Sequence, residues 1–451
     1  MASYASLRFV LATAAHLDFE ADCIDYTSAF LNGTLIEEVW ITIPEGFVES
    51  LSKEERLHFD DLRAKYGKDL ALRLCKALYG LKQSSREWNQ ALHVFLVDNA
   101  GLNFQQSSFD PCLYFKYDAD GSLVLLLVYV DDTLIVARHP TNVADIKRRI
   151  AEKFKIRDLG PVEWILKMRV RRDRANRILL LDQEKYVTGV LKRFNMLDSR
   201  PVATPAPSGM SMTAEEELPG LGPEIPYRSA VGSLLHAAIG TRFDIAHAVS
   251  QVGRFNATPK LPHWVQVKHI LRYLNGTRAY CIRFCPNNDA ELSKLLLYAY
   301  VDSDWAGDIA TRRSTTGFIL LLGGMPITWK SQLQPCVTLS STEAEYVAAC
   351  LCAQEVMCLR RLMEELGAKQ VAPTTVYEDN DGCIALSKNP RNKGRTKHIA
   401  IKWHYVRDCV KSKDMDLIAI DTGKNLADIL TKSVARIVFQ RLVENAMHNG
   451  K

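Results

Sequence analysis

The segment Leu123–Ala137 reads LVLLLVYVDDTLIVA and places two adjacent carboxylates, Asp131 and Asp132, between two apolar runs. Two apolar runs joined by two turn-tolerant residues predict a β-hairpin. Like charges this close repel each other, and burying either one without compensation costs several kcal/mol. One interpretation of the pair is a solvated turn. The other is a hairpin tip that holds a divalent cation, which would neutralise both aspartates.

Length and composition are those of a globular protein. The chain has 451 residues, with 47% hydrophobic and 24% charged, so about two to four domains are expected. Eleven cysteines without a CxxC motif predict reduced thiols in an intracellular protein and argue against zinc sites. No apolar run approaches the roughly 18 residues of a membrane span. We interpret MASYASLRFVLATAAH as the first helix of a truncated domain rather than as a targeting peptide.

Charge is unevenly distributed along the chain. The net charge is +5, yet residues 138–200 hold 17 Lys and Arg against 8 Asp and Glu. Such a block is expected of a protein that binds the phosphate backbone, although a solvated face is the usual explanation of charge alone. Residues 201–226 contain six of the 17 prolines and predict a linker. Short helices are predicted from 227 to about 290, followed by a second α/β unit from Leu295.

Several motifs accompany the aspartate pair in a fixed order. They read IDYTSAFLNG, LYGLKQSSREW, LLLVYVDD, RDLGPVEWIL, YRSAVGSLLHA, DIAHAV and HWVQVKHILRYLNGT. Each one is weak alone, but as an ordered set they resemble the reverse transcriptase of copia-type long-terminal-repeat retrotransposons. The resemblance implies an RNA-directed DNA polymerase that uses two Mg²⁺ ions per active site, with Mn²⁺ as a substitute. Carboxylates at strand ends and hairpin tips suit these ions.

The resemblance also implies roles for single residues. Asp25, Asp131 and Asp132 would be the catalytic metal ligands of the polymerase. Phe30 would exclude a 2′-hydroxyl from the incoming sugar, although a core aromatic is the alternative. The remaining substrate contacts would be Gly80, Lys82 and Gln83 along the template and nucleotide, Tyr129 behind the primer end, and Arg171 and Arg172 in a basic thumb.

The C-terminal unit carries a second set of acids. In the predicted helix SSTEAEYVAACLCAQEVMCLRRLMEELG, Ser340 and Glu343 are spaced as a capping box. Glu345 instead shares the apolar stripe with Ala349 and Cys352. A carboxylate on a buried face requires a metal or a cation, whereas a cap accounts for Glu343. Asp302 and Asp379 end predicted strands, and Asp428 lies on a late predicted helix.

This order of acids resembles ribonuclease H, through YVDSDWAG, RRSTTGF, SSTEAEY, EDN, RTKHIAIKWHYVR and NLADILTK. The resemblance implies that four carboxylates bind two Mg²⁺ ions and hydrolyse the RNA of an RNA–DNA hybrid: Asp302, Glu345, Asp379 and Asp428. Asp304 is the alternative first ligand. His398 is either a proton shuttle or a loop or phosphate contact, and His404 is interpreted as structural.

The implied fold class is α+β and α/β: a partial polymerase palm and thumb, a helical connection, and a ribonuclease H-like α/β domain. The expected limits are 1–140 for the N-terminally truncated palm, 141–200 for the thumb-like basic region, 201–226 for the Pro-rich linker, 227–294 for the connection, and 295–451 for the ribonuclease H-like domain. A chain that starts just before the Asp25 motif lacks the expected fingers, so we expect poor primer extension.

One further departure concerns Leu166-Lys167, where relatives usually have Leu-Gly. The implied partners are an RNA template, a DNA primer strand, an RNA–DNA hybrid and deoxynucleoside triphosphates, with no membrane. The implied location is a cytoplasmic virus-like particle with access to the nucleus. The alternative function is that of a catalytically silent retroelement remnant that only binds nucleic acid.

Overall fold

The computed structural model describes residues 2–67, 70–98, 100–209, 220–285, 291–388 and 400–450, the last range with side chains from residue 405. Its strands are β1 (Glu20–Tyr26), β2 (Trp40–Thr42), β3 (Ala71–Arg73), β4 (Gln105–Gln106), β5 (Leu113–Tyr117), β6 (Leu123–Tyr129), β7 (Asp132–Ala137), β8 (Ile156–Pro161), β9 (Trp164–Ile165), β10 (Met168–Asp173), β11 (Ile178–Asp182), β12 (Cys281–Phe284), β13 (Leu297–Asp304), β14 (Thr315–Leu322), β15 (Met325–Leu333), β16 (Thr374–Glu378) and β17 (Met415–Ala419).

Helices surround these strands. They are α1 (Tyr4–Leu17), α2 (Phe47–Ser50), α3 (Lys53–Tyr66), α4 (Ser84–Val97), α5 (Pro140–Lys153), α6 (Glu184–Arg193), α7 (Tyr227–Gly240), α8 (Ala246–Gly253), α9 (Leu261–Gly276), α10 (Ser341–Glu365), α11 (Asp381–Lys388), α12 (Ala400–Lys411) and α13 (Arg436–Ala446). The mixture of α+β and α/β units agrees with the predicted fold class.

The first sheet has six strands in the order β4-β5-β6-β7-β1-β8. The hairpin predicted at Leu123–Ala137 is confirmed as β6 and β7, which pair antiparallel. Its turn is Val130-Asp131 rather than the two aspartates, because Asp132 already belongs to β7 and lies opposite Tyr129. The apolar residues of both strands are buried, so packing on the core fixes the position of the hairpin.

The predicted boundary at residue 140 does not coincide with an edge of this sheet. The strand β8 hydrogen-bonds to β1, and α5 packs on β1, β7 and β8. The apolar stripe of α5, formed by Val143, Ile146 and Ile150, is buried, as expected of an amphipathic helix on a sheet. The first third of the predicted basic thumb region is therefore part of the first sheet unit.

The second sheet has the order β12-β11-β10-β9, and its strands β11 and β12 contact α1. It joins strands from the predicted thumb with β12 from the predicted connection. The described part of the Pro-rich segment packs on α9: Gln266 Nε2 donates to the carbonyl of Pro205 at 2.9 Å, and His269 Nε2 lies 3.0 Å from the carbonyl of Thr204. Residues 201–209 are thus packed structure and not a free linker.

The third sheet has the order β15-β14-β13-β16-β17. The pairs β13–β14 and β14–β15 are antiparallel, whereas β13–β16 and β16–β17 are parallel. The 25-residue helix α10 packs across β13 and β14. A mixed sheet with a helix on its face agrees with the predicted ribonuclease H-like α/β unit.

Helix α1 joins all three sheets. It contacts β6 and β7 of the first, β11 and β12 of the second, and β15 of the third. Eleven of its 14 residues are buried, because its alanines, leucines and Phe9 face apolar neighbours all around, which is typical of a central helix. The prediction that MASYASLRFVLATAAH forms the first helix of a domain is confirmed, and one hydrophobic core runs through the first and third sheets.

Candidate active sites

The tip of the β6–β7 hairpin is strained. Val130 has a φ of 54°, in the left-handed region that a β-branched residue adopts only when its surroundings impose it. Two hydrogen bonds hold the turn: Trp88 Nε1 donates to the carbonyl of Val130 at 2.8 Å, and the amide of Tyr26 donates to the carbonyl of Asp131 at 2.7 Å. The turn therefore has a fixed conformation that aims the Asp131 side chain.

The strand register places three carboxylates near this turn. Asp25 on β1 lies directly opposite Asp132 in the strand register, and Asp131 precedes Asp132. Burial and the charge of Asp25 raise the pKa of both Asp131 and Asp132. Asp131 Oδ1 is buried without a hydrogen bond from any described residue. A buried, unpartnered oxygen among like charges fits a divalent cation.

An aromatic pair lies beside these acids. The Phe30 ring is half-buried and contacts the ring of Tyr79, with centroids 4.6 Å apart at 51°. More than half of the Tyr79 side chain is exposed. Partial desolvation, followed by the charges of Asp131 and Asp25, raises the pKa of its hydroxyl. Gly80 follows with a φ of 98°. Tyr79 was not predicted as a site residue, although it stands within the LYGLKQ motif that supplied Gly80.

The other predicted polymerase residues occupy different environments. Lys82 is exposed, and Gln83 occupies the residue before α4. Tyr129 is half-buried, packs against the core and lies opposite Asp132. Tyr129 is thus near the carboxylates through its strand register. Phe30 contacts Tyr79, the residue before Gly80, and the roles of all three stay predictions.

The predicted phosphate contacts Arg171 and Arg172 are bound within the protein. Arg171 Nε donates to Asp182 Oδ2 at 3.1 Å, and Arg172 Nη2 donates to Asp18 Oδ1 at 2.8 Å. The neighbouring Arg174 pairs with Glu20. The ion pairs of Arg171 and Arg172 connect β10 to β11 and to the end of α1, and their contact with substrate stays a prediction.

A second carboxylate cluster lies on the third sheet. Oxygens of Asp302, Glu345 and Asp379 all lie within 4.8 Å of one another. Asp302 is near the end of β13, Asp379 follows β16, and Glu345 is in the first turns of α10. Because β13 and β16 pair in parallel, their C-terminal ends lie side by side at the same end of the sheet. Helix α10 begins at this end.

Two glutamates near the start of α10, Glu343 and Glu345, are both buried but have different partners. The Glu343 amide donates to Ser340 Oγ at 3.2 Å, and Glu343 Oε2 accepts from the amide of Leu339 at 2.8 Å. Glu343 is therefore a cap at the helix start. Glu345 is buried on the stripe that faces the sheet, where it joins the cluster.

Burial dominates the electrostatics of this cluster. It raises the pKa of Glu345 to about 11, with the charges of Glu378 and Asp302 adding to the effect. It also raises the pKa of Asp302 and that of Glu378 to about 8. Glu345 Oε2 is buried without a hydrogen bond from any described residue. Orphaned oxygens among crowded acids fit divalent cations here as well.

Two acids extend the cluster. Asp428 lies in a 3-10 turn, Leu426–Leu430, rather than in the predicted α-helix. Burial and the charge of Asp302 raise its pKa to about 7. Glu378, fully buried beside Asp379, was not predicted, because a polar residue at the end of a strand gives no sign of which face it occupies. The predicted His398 lies outside the described residues, as does the side chain of His404.

Comparison with known proteins shows which protein family the sequence of this chain resembles. The family profile described as reverse transcriptase (RNA-dependent DNA polymerase) matches residues 1–208. The retrovirus-related Pol polyprotein from transposon TNT 1-94 of Nicotiana tabacum is 40% identical over 442 residues, covering 96% of this chain and 31% of that protein. The Pol polyprotein from transposon RE1 of Arabidopsis thaliana is 36% identical over 446 residues, covering 96% and 28%.

The chain therefore spans about a third of the length of these relatives. Among solved structures, the N-terminal RNase H domain of a Mycobacterium tuberculosis protein matches 34% of this chain and 99% of its own, with 11% identity and a TM-score of 0.24. Within the described ranges, no helix combines the length and the low polarity needed to cross a membrane.

Proposed function

We propose that this chain, which is similar to the Pol polyproteins of two plant transposons over 96% of its length, carries two metal-dependent active sites. One is an RNA-directed DNA polymerase on the first sheet, and the other is a ribonuclease H on the third. The observation that carries the proposal is the cluster of Asp302, Glu345 and Asp379 within 4.8 Å, because buried acids at this spacing repel one another unless cations lie between them.

In the ribonuclease site, Asp302, Glu345, Asp379 and Asp428 would hold two Mg²⁺ ions, or Mn²⁺ in their place. Bound metal supplies a nucleophilic hydroxide from water and stabilises the charge on the leaving 3′-oxygen. The protein contributes fixed geometry: β13 and β16 position Asp302 and Asp379, and α10 holds Glu345 on its buried face. The substrate class is the RNA strand of an RNA–DNA hybrid.

In the polymerase site, Asp25, Asp131 and Asp132 would hold the metal ions that act on a primer 3′-hydroxyl and a deoxynucleoside triphosphate. The strained turn at Val130 fixes Asp131, and Phe30 would exclude a 2′-hydroxyl. The partners are an RNA template and a DNA primer strand. The reaction would take place in a cytoplasmic virus-like particle.

A comparison of two glutamates tests the ribonuclease half of the proposal. The full chain is incubated with Mg²⁺ and a labelled RNA–DNA hybrid, and RNA fragments are resolved on a gel. Glu345→Gln should lower the cleavage rate by at least 100-fold, because it removes a metal ligand. The matched control Glu343→Gln should retain cleavage and lose only about 1 kcal/mol of stability through the weakened cap.

The opposite pattern, in which Glu343→Gln abolishes cleavage and Glu345→Gln leaves it intact, would contradict the assignment. If the unaltered chain binds the hybrid but never cleaves it, with either Mg²⁺ or Mn²⁺, the silent remnant becomes the correct description.

A further inference from the structure

Lys432 places an ammonium group among the acids of the third sheet. Its Nζ lies 3.0 Å from Asp428 Oδ1 and 3.5 Å from Asp302 Oδ1. Both carboxylates are almost completely buried, whereas about a third of the Lys432 side chain is exposed (35%). The lysine therefore spans the boundary between the buried cluster and solvent.

The backbone around Lys432 fixes this placement. The amide of Lys432 donates to the carbonyl of Asp428 at 3.1 Å, so both side chains leave the same short turn. The hydroxyl of the intervening Thr431 donates to Asp302 Oδ2. The segment from Asp428 to Lys432 thus contacts Asp302 through the side chains of Thr431 and Lys432, and it contributes one carboxyl group, that of Asp428.

The charge of Lys432 reaches most of the cluster. It lowers the pKa of Asp302, Asp304, Glu345 and Asp428, in opposition to the burial that raises each of them. In return, although burial lowers the pKa of Lys432, the charges of Asp302, Asp428 and Asp379 keep it above its ordinary value. The lysine is thus a counter-ion for several carboxylates and not only for its two nearest partners.

We propose that Lys432 is the resident counter-ion of this cluster, and that it competes with divalent metal ions for Asp302 and Asp428. The inference rests on the proposed function, which assigns both aspartates to metal. A divalent ion bound by them would lie beside the ammonium, and the two positive charges would repel each other. Because the head of a flexible four-carbon side chain can move into solvent, metal binding turns Lys432 outward.

The first test measures metal affinity and needs no turnover. Mn²⁺ is titrated into the full chain by calorimetry, without nucleic acid, for the unaltered protein, Lys432→Gln and Lys424→Gln. Removing the competing charge should lower the apparent Kd for Mn²⁺ about tenfold. The control lysine, which is exposed eight residues earlier, should leave the Kd unchanged, and Lys432→Arg should bind like the unaltered chain because it keeps the charge.

The second test uses the unaltered chain only, so it holds even if Lys432→Gln fails to fold. Lysines are acetylated briefly with acetic anhydride and counted by mass spectrometry, with and without Mn²⁺. Acetylation of Lys432 should rise several-fold when Mn²⁺ is present, while acetylation of Lys424 should not change.

Equal or weaker Mn²⁺ binding by folded Lys432→Gln, or unchanged acetylation of Lys432, would overturn the competition alone. Mn²⁺ titrations that are identical for Asp302→Asn and the unaltered chain would show that the third sheet binds no metal through Asp302, and would overturn the proposed ribonuclease site and the competition with it.

Discussion

At the scale of the residue, Glu345 makes the metal-free protein less stable as the pH rises. Its pKa is about 11 in the folded chain against an ordinary value of 4.5, so the folded state binds the extra proton. Its contribution to stability is fully present below pH 4.5 and is lost progressively as the pH rises toward 11. The slope for one such proton is about 1.4 kcal/mol per pH unit.

Glu345→Gln should remove this slope because glutamine resembles the protonated acid. In EDTA, urea unfolding between pH 5.5 and 8.5 should show a flatter profile for the variant, and at pH 8.5 the variant should be more stable by at least about 1 kcal/mol. Glu343→Gln serves as the control and should lower stability without flattening the profile. Parallel profiles for Glu345→Gln and the unaltered chain would contradict the burial argument.

Lys167 occupies a conformation that suits glycine. The β9–β10 hairpin turns at Leu166-Lys167, and φ at Lys167 is 65°. A residue with a Cβ in this region costs roughly 1–2 kcal/mol. Glycine avoids this strain but loses more conformational entropy on folding, which offsets part of the gain. Lys167→Gly should therefore raise the free energy of unfolding by about 0.5–1 kcal/mol in urea titrations.

The control for that variant is Arg169→Gly, an equally exposed position within β10. Because glycine weakens a strand, it should lower the free energy of unfolding by about 0.5–1 kcal/mol. Two variants that shift stability in the same direction would show that the backbone conformation at Lys167 is not the cause.

The residue types at both sites follow from the sequence, but their partners do not always do so. Glu345 is predictable because helical spacing fixes its face. Arg171 and Arg172 are not, because their acceptors lie on other elements: Asp182 on β11 and Asp18 at the end of α1. A basic run in a sequence gives the number of positive charges, but it does not show which of them form ion pairs in the folded protein.

At the scale of the element, α1 depends on one buried cation. Arg8 Nε donates to the carbonyl of Ile327 on β15 at 2.6 Å, and Nη1 donates to the carbonyls of Ile239 and Gly240 on α7 at 2.7 and 2.8 Å. The guanidinium lies 3.8 Å from the ring centroid of Trp329. Arg8 thus satisfies three carbonyls where α1, α7 and β15 meet.

Arg8→Leu should lower the free energy of unfolding by about 3 kcal/mol, since buried carbonyls that lose their donors cost about 1–3 kcal/mol each. Urea unfolding of the full chain measures the change. Arg63→Leu, on the exposed α3, should change stability by less than about 0.5 kcal/mol. Equal effects of the two substitutions would contradict the role of Arg8.

The elements that carry the proposed metal ligands were predictable from local pattern: the β6–β7 hairpin, the strands before Asp302 and Asp379, and α10. The elements that were misplaced are those whose position depends on distant partners. β8 joins the first sheet through β1, and residues 201–209 pack on α9. A proline-rich composition indicates irregular backbone but not whether that backbone is packed.

At the scale of the whole molecule, the sheets share one body. Apolar residues of β6, β7 and α1 belong to the same core as those of β13, β14 and α10. The sequence predicts separate units because motifs cluster along the chain, whereas the contact between α1 and β15 links residues about 300 positions apart. Measurements of the proposed ribonuclease site therefore require the full chain, in which α1 covers β15.

The central claim is that this single body contains two separate carboxylate sites with different reactions. The most direct test is hybrid cleavage by the full chain in Mg²⁺, comparing Asp302→Asn with Asp131→Asn. We expect Asp302→Asn to lower the cleavage rate by at least 100-fold and Asp131→Asn to leave it within about twofold of the unaltered chain. Cleavage that survives Asp302→Asn, or that is lost with Asp131→Asn in a folded protein, would contradict the claim.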